Sequence, residues 1–491
     1  MTQSLKSKTA ANLSYNLLAR LFVFTLASIT SIILARHLST SDYGIVGFAS
    51  IFVIFLGMFD DLGVTQSIIQ KETIEENELY TAFSLKVLLG LSLFLFSFVW
   101  GSLSRKVFDN SAVRAVIVVL ATGSSINAIG FIPNTLLSRE LKFKRLTIPQ
   151  IGGQLAATAV AIISVYSGFR YWSLVFGSMS SWIASAAIVF VLCPVRLRFK
   201  WDKRAAREHL KFGRHLFLSW LMTFVLFNSD NFVIGAAGGA AMLGFYSIAF
   251  NWGSKACGFI EAATRGILLA TFSKLQDQTE RLKRGYLAVL EYASLGAVLA
   301  NVLLLILSRE LLILVLGGGT GKWLPAMNAL RILCVYGAVR GILEPVVSMV
   351  TAIGWPALIF KANAVVTFFQ LVCLYPALRY WGLQGVAVVV TFSYSLQFLI
   401  YFPMLRRELD LFYGEVFGAV RSALLAGGAL AAFGVAYDRY FPVSWFSLAA
   451  KLVLGTGLYL SIFGCVTGWK IVKDAREILD AVLMKPNRST A

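Results

Sequence analysis

The chain has 491 residues, 58% of them hydrophobic and only 14% charged, with a mean hydropathy of +0.74. Soluble domains carry about 25% charged residues, so the composition excludes a soluble protein and points to an integral membrane protein. The net charge of +19 does not signal nucleic acid. Lys and Arg gather in short loops between apolar runs, and no basic stripe with interleaved aromatics falls on a soluble domain.

Taken in order, the apolar runs give fourteen expected spans. They cover residues 12–36, 43–70, 80–104, 112–134, 147–168, 171–193, 212–236, 242–270, 284–308, 324–350, 358–378, 384–405, 414–436 and 443–469. A helix needs roughly 20 apolar residues to cross a bilayer. The first run follows Lys6 and Lys8 and continues to Ala35. That is longer than the roughly 7–15 apolar residues of a signal peptide, so it is expected to stay as a span. Only Gly168-Phe169-Arg170 separates the fifth span from the sixth. The fold class is therefore all-α and polytopic.

The loops set the orientation. Of the 44 Lys and Arg, 27 fall on the side that holds both termini, 9 on the other side and 8 inside spans. Basic residues in short loops stay in the cytoplasm, so both termini are expected there. The most basic loop, PVRLRFKWDKRAAREHLKFGR, suits the anionic inner leaflet. It divides the chain into an N-terminal lobe over 1–195, a basic cytoplasmic linker over 196–211 and a C-terminal lobe over 212–405. Two extra helices and a tail follow over 406–491. A short pattern also recurs at an offset of 200. Gly44 and Gly244 match, as do Ala49 and Ala249, and both joints read as a short turn, a Gly and an apolar helix. Internal repeats are one way in which transporters are built.

Several spans carry charge. One charged group at the bilayer centre costs at least about 2.5–3.5 kcal/mol, so such groups face a polar cavity or a partner. Asn12, Asn16 and Arg20 follow one face of span one. Span two holds Asp60 and Asp61. Ser219, Thr223 and Asp230 share a face of span seven. In span eight Asn251, Lys255, Glu261 and Arg265 fall within an arc of roughly 120° at about 100° per residue. Span ten has Arg331 and the pair Arg340 and Glu344. Lys86 and Glu291 lie near cytoplasmic ends. We read Lys86, Arg421 and Lys451 as reaching back to an interface. Arg340 and Glu344, at i and i+4, read as a structural ion pair, and Glu261 and Arg265 share that spacing. For Arg20, Asp60, Asp61, Asp230 and Lys255 no local partner is evident, and a polar cavity is expected to hold them.

Motifs for chemistry are scarce. Cys193, Cys257, Cys334, Cys373 and Cys465 sit in or beside spans without a Cys-x-x-Cys pair, as small packed residues do. His37, His209 and His215 lack ligand spacing, so no metal site is expected. The run Gly317-Gly318-Gly319-Thr320-Gly321-Lys322 fails as a phosphate loop, because residue 316 is Leu and Trp323 follows the lysine. Neither an enzyme nor a nucleotide-driven pump is expected.

Four stretches carry a family resemblance: LARHLSTSDYGIVGFASIF with DDLGVTQSIIQ, SDNFVIGAAGGAAMLGFYSIAF with ATFSKLQ, LGGGTGKWLPAMNALRIL, and LRYWGLQGVAVVVTFS. In order and spacing the chain resembles the Wzx-like polysaccharide flippases. These belong to the prokaryotic polysaccharide transporter branch of the multidrug/oligosaccharidyl-lipid/polysaccharide superfamily. The resemblance implies two six-helix lobes plus two C-terminal helices, with a cavity lined by spans one, two, seven and eight. It also implies a bacterial plasma membrane location. The implied substrate is an oligosaccharide on a polyprenyl diphosphate, moved to the outer leaflet by alternating access.

On that reading Arg20, Lys255 and Arg265 are expected to hold the diphosphate. Asp60, Asp61, Asp230 and Glu261 are expected to take a coupling H+ or Na+, or to balance charge. No other cofactor is expected. The expected partners are membrane lipids, a glycan polymerase and glycosyltransferases. Two alternatives stay open at this point: a cation-coupled multidrug exporter, and a non-transporting scaffold for glycan assembly.

Overall fold

A computed structural model describes residues 2–71, 74–107, 111–140 and 142–468. The tail from 469 onward lies outside the described residues, as do the side chains of Asn12, Asn16, His215 and Ser219. The regular elements among the described residues are helices. They are α1 (Thr2–His37), α2 (Thr40–Asp61), α3 (Val64–Gln70), α4 (Glu76–Val107), α5 (Ser111–Ile129), α6 (Phe131–Arg139), α7 (Phe143–Tyr166) and α8 (Trp172–Leu192). Then come α9 (Lys203–Leu275), α10 (Thr279–Ile306), the single turn α11 (Ser308–Glu310), α12 (Met327–Ala352), α13 (Pro356–Leu409), α14 (Tyr413–Tyr440) and α15 (Trp445–Thr467).

Among the described residues, twelve helical stretches are long and apolar enough to cross a membrane, where the sequence reading has fourteen. The difference lies in α9 and α13, each of which is interrupted by one glycine. Gly239 has φ 79° and ψ 179°, and Gly382 has φ 59° and ψ −144°. Such backbones suit glycine, which has no Cβ to clash. The chain turns there without a polar loop. The turn is local, since a Cβ on Gly235 would lie 3.2 Å from Leu243 and one on Gly385 only 2.5 Å from the Ala377 carbonyl. In a straight helix, residues eight apart are about 12 Å apart along the axis.

Contacts divide the chain into two compact units. The first comprises Met1–Ala249, Val315–Gly318 and Asn363–Val389, and the second Phe250–Leu314, Gly319–Ala362 and Val390–Ala491.

In the first unit α2 begins with a capping box. Asp42 N–H donates to Ser39 Oγ (3.2 Å), and Ser39 N–H donates to Asp42 Oδ2 (2.9 Å), so two orphan amides at the helix start find acceptors. Asp42 also meets Arg170 at 3.2 Å, in the α7–α8 turn that Gly168 makes with φ 82°. The repeat signal has a physical counterpart. A Cβ on Gly44 would lie 1.8 Å from the Ala240 carbonyl oxygen, and one on Gly244 would lie 1.8 Å from that of Thr40. The two joints cross backbone to backbone, each glycine against the other joint. The basic stretch after Cys193 runs extended along α4. Lys200 N–H donates to Ser84 Oγ and Asp202 N–H to Thr81 Oγ1, both at 3.1 Å. Asp202 then accepts from Arg204 N–H at 2.8 Å at the start of α9.

In the second unit α10 packs against α12, α14 and α15. Ala423, Ala426, Leu430, Tyr459 and Phe463 form a buried core with Val298 and Ile306. Glycines let these helices approach closely, as small residues do in membrane bundles: a Cβ on Gly434 would lie 2.3 Å from Ile306.

Candidate functional site

The charged residues read from the sequence fall into separate clusters within the two units. The first cluster forms where span two breaks. Helix α2 ends at Asp61, and Leu62 (φ 39°) and Gly63 (φ 74°) take left-handed backbones before α3 begins. The break places Asp60 and Asp61 at a helix C-terminus, where a negative charge finds no help from the helix dipole. Help comes from α4. Lys86 Nζ lies 3.5 Å from Asp60 Oδ2 and 3.0 Å from Asp61 Oδ1, with the Phe131 ring centroid 5.1 Å away. Thr65 donates its hydroxyl to Asp61 as well. Lys86 is 6% exposed and Asp60 8%. This corrects two expectations. Lys86 does not reach back to an interface, and Asp60 and Asp61 do have a partner.

Asp230, also in the first unit, is buried and has neutral partners. Tyr246 O–H donates to its Oδ2 at 2.7 Å, and Asn231 N–H to its Oδ1 at 2.8 Å. Three hydrogen bonds, counting the Asn231 side-chain amide at 3.2 Å, spread its charge. Arg20 is half-buried on α1. A separate cavity of about 230 Å³ lies in this unit, lined by Phe52, Phe55, Phe224, Phe232 and Leu371. Its chemistry suits hydrocarbon and not phosphate.

The second unit holds a ladder of four charges. Its position follows from glycines earlier on each helix. A Cβ on Gly253 would lie 2.9 Å from Leu333, and one on Gly337 would lie 2.3 Å from the Gly253 carbonyl oxygen, so this part of α9 and α12 run in backbone contact. Glu261 and Arg265 then come beside Arg340 and Glu344. Arg340 reaches Glu261 at 2.7 Å, Glu261 pairs with Arg265 at 2.8 Å, and Arg265 meets Glu344 at 2.9 Å. Tyr336 O–H accepts from Arg340 at 3.2 Å, and Ser348 donates to Glu344 at 3.3 Å. The sequence reading pairs Arg340 with Glu344 within one helix; the structure instead ties each carboxylate to the other helix. A bidentate contact explains the choice, since Arg265 offers Nε and Nη2 to the two Glu344 oxygens at 2.9 and 3.3 Å. Glu344 is buried and Glu261 and Arg340 are half-buried, but the Arg265 side chain is 55% exposed. Arg265, an inner member of the ladder, is thus its most open one. Lys255, two turns or more before Arg265 on α9, lies over the Trp252 ring at 4.1 Å.

Sequence reasoning missed a third cluster. Lys451 is fully buried, 2.6 Å from Glu310 and in contact with Asp438, and it donates to the Ile306 carbonyl at 3.2 Å. It ties α15 to α11 and α14 and does not reach an interface as expected. Arg421 is exposed. No three or more His, Cys, Asp or Glu among the described residues are grouped to hold a metal.

Residues 33–328 match the model of a family described as "Polysaccharide biosynthesis protein". The chain belongs to this family. It is similar to the lipopolysaccharide biosynthesis protein WzxC of Escherichia coli, with 24% identity over 84% of this chain and 84% of the relative. Among solved structures, the lipid II flippase MurJ in an inward closed conformation matches with a TM-score of 0.74 at 13% identity, over 91% of this chain and 97% of that one. An inward-facing multidrug resistance MATE transporter matches with a TM-score of 0.64 at 18% identity, over 80% and 98%. These two likenesses concern the fold.

Proposed function

We propose that this family member is a flippase in a bacterial plasma membrane. It moves an oligosaccharide unit, carried on a polyprenyl diphosphate, from the cytoplasmic to the outer leaflet by alternating access. The observation that carries the reading is the family match over residues 33–328. The likeness to a lipid II flippase supports it, as does a guanidinium edge held open inside an apolar chain. Both termini face the cytoplasm, on the strength of the loop charges.

Arg265, with Lys255, holds the diphosphate. A phosphate competes with Glu261 and Glu344 for the Arg265 donors, and the ladder keeps the guanidinium oriented between loads. Asp60, Asp61, Asp230 and Glu261 balance these cations or take the coupling ion, H+ or Na+. The polyprenyl tail stays in lipid, and no bond is broken. A polymerase and glycosyltransferases supply and consume the cargo.

The test is Arg265→Ala, with Arg265→Lys beside it, in cells that depend on this protein for surface glycan. A hydrogen bond to a charged group contributes about 1.5–3 kcal/mol, or about 10–150-fold in affinity. Glycan output at subsaturating substrate is expected to fall by at least tenfold at normal protein level. Unchanged output would remove Arg265 from the headgroup site. The exporter reading rests on the MATE fold likeness alone, and a drug-susceptibility panel on a deletion strain separates it.

A further inference from the structure

The cluster at the break in span two has a composition that only one class of ligand fits. With all groups ionised, Asp60, Asp61 and Lys86 carry a net charge of −1 in a setting where Asp60 is 8% exposed and Lys86 6%. An uncompensated charge so placed is unfavourable. The oxygens are not equally served. Asp61 Oδ1 receives Lys86 at 3.0 Å and the Thr65 hydroxyl, and Asp60 Oδ2 faces Lys86 at 3.5 Å. Asp60 Oδ1 is buried with no hydrogen-bond partner. A buried carboxylate oxygen without a donor is a place where a positive charge is missing.

We propose that Asp60, Asp61 and Lys86 form a site for a single proton, taken by Asp60 Oδ1 at the break in span two. A metal cation does not suit this site, because hard cations need several oxygens around them and the Lys86 ammonium already occupies the space between the carboxylates. Protonation turns the Asp60 carboxylate into a carboxyl group and brings the cluster from −1 to neutral. The proton comes from water and returns to water. The charged and titratable groups near the break include Lys86 on α4, Arg139 on α6, which donates to the Ile68 carbonyl at 3.2 Å, His209 on α9, which bonds Ser67 at 2.7 Å, and Lys71 after α3, paired with Glu78 on α4 and Glu208 on α9.

The backbone gives protonation something to act on. Leu62 and Gly63 join α2 to α3 through left-handed backbones, so the two helices meet at a joint and not in a continuous helical ladder. Lys86 ties the last turn of α2 to α4 through both carboxylates. Protonating Asp60 removes one of the two ties and leaves Asp61 holding the lysine. The role of this site as the coupling site rests on the flippase reading; the site itself does not.

The experiment uses the full-length protein in lipid nanodiscs, titrated over about pH 5–9 by infrared difference spectroscopy in sodium-free and sodium-containing buffer. The carbonyl stretch of an un-ionised carboxyl group is expected in the wild type and lost in Asp60→Asn. Lys86→Met should keep the band to a proton concentration at least tenfold lower, because the neighbouring cation is gone. Asp61→Asn should require a higher proton concentration, because the like charge is gone. Sodium should leave all three unchanged. A band that survives Asp60→Asn, that ignores both neighbour substitutions, or that sodium displaces would overturn the proposal. Surface glycan measured in the same variants separates the two claims. If deleting the protein leaves surface glycan unchanged while the Asp60 band persists in the purified protein, the flippase reading fails and the proton site stands.

Discussion

The reciprocal crossing of Gly44 and Gly244 makes a prediction whose size comes from the coordinates. A Cβ added at Gly44 would lie 1.8 Å from the Ala240 carbonyl oxygen and 2.5 Å from its carbon. An ordinary carbon–oxygen contact is about 3.3 Å or more, so Gly44→Ala must push two backbones apart by roughly 1.5 Å. Both neighbours are main chain, so no rotamer change relieves the clash. Overpacking of this kind costs about 1–3 kcal/mol, sometimes more. Gly244→Ala meets Thr40 at the same 1.8 Å and should cost a similar amount. The two substitutions demand the same separation, so the double variant should cost less than their sum. Gly57 is the control, since nothing lies within 4 Å of its Cβ position. Alanine there gains up to about 1 kcal/mol of helix propensity. The assay is thermal unfolding in nanodiscs. An unfolding entropy of about 2.1 cal/mol/K per residue over the whole chain gives a midpoint fall on the order of 1–3 °C for each clash variant. Gly57→Ala should hold or raise the midpoint. If Gly44→Ala behaves like Gly57→Ala, the crossing is not the packed contact described here.

Three further predictions follow from other parts of the structure. His209 outside the spans is buried against Ser67, and burial, reinforced by the nearby Lys71 charge, holds its imidazole below the usual histidine range. The folded state therefore refuses a proton that the unfolded chain accepts, so this contribution is complete above about pH 6.5 and is lost as pH falls through the lower folded value; His209→Gln should flatten that limb of a stability–pH curve. Lys451→Met leaves Glu310 and Asp438 without their cation and should lower stability by about 3–5 kcal/mol, with Glu310→Gln in the same chain recovering part of it in denaturation experiments. Gly337→Ala would set a Cβ 2.3 Å from both Asn301 and the Gly253 carbonyl; it should displace Arg340 and Glu344 from their partners and lower glycan export severalfold, whereas Gly418→Ala, which meets nothing within 4 Å, should leave export unchanged.

Most of the architecture is legible because long apolar runs in a bilayer have few alternatives to helices. The α7–α8 turn is legible for the same reason, since Gly168 can take a backbone with φ 82°. The number of separate helices is harder to read, because Gly239 and Gly382 turn the chain without any polar loop. The partners of buried charges are harder still. Periodicity reports faces within one helix, so it finds Glu261 with Arg265 and misses Arg265 with Glu344, which lies on another helix. Lys86 could have been matched by depth. Asp61 stands nine residues before the end of α3 at Gln70, and Lys86 ten residues after the start of α4 at Glu76, and neighbouring antiparallel spans bring such positions level. Lys451 offers no such signal, because Glu310 sits in a single helical turn between a span and a loop.

The most direct test of the account is transbilayer movement by the purified protein. Vesicles containing it would be loaded with a polyprenyl diphosphate-linked oligosaccharide on one leaflet, and an enzyme acting only on the other side would report arrival. The account predicts movement well above that of protein-free vesicles, reduced at least tenfold by Arg265→Ala at subsaturating substrate. Folded wild-type protein that moves no more lipid-linked sugar than empty vesicles would contradict it.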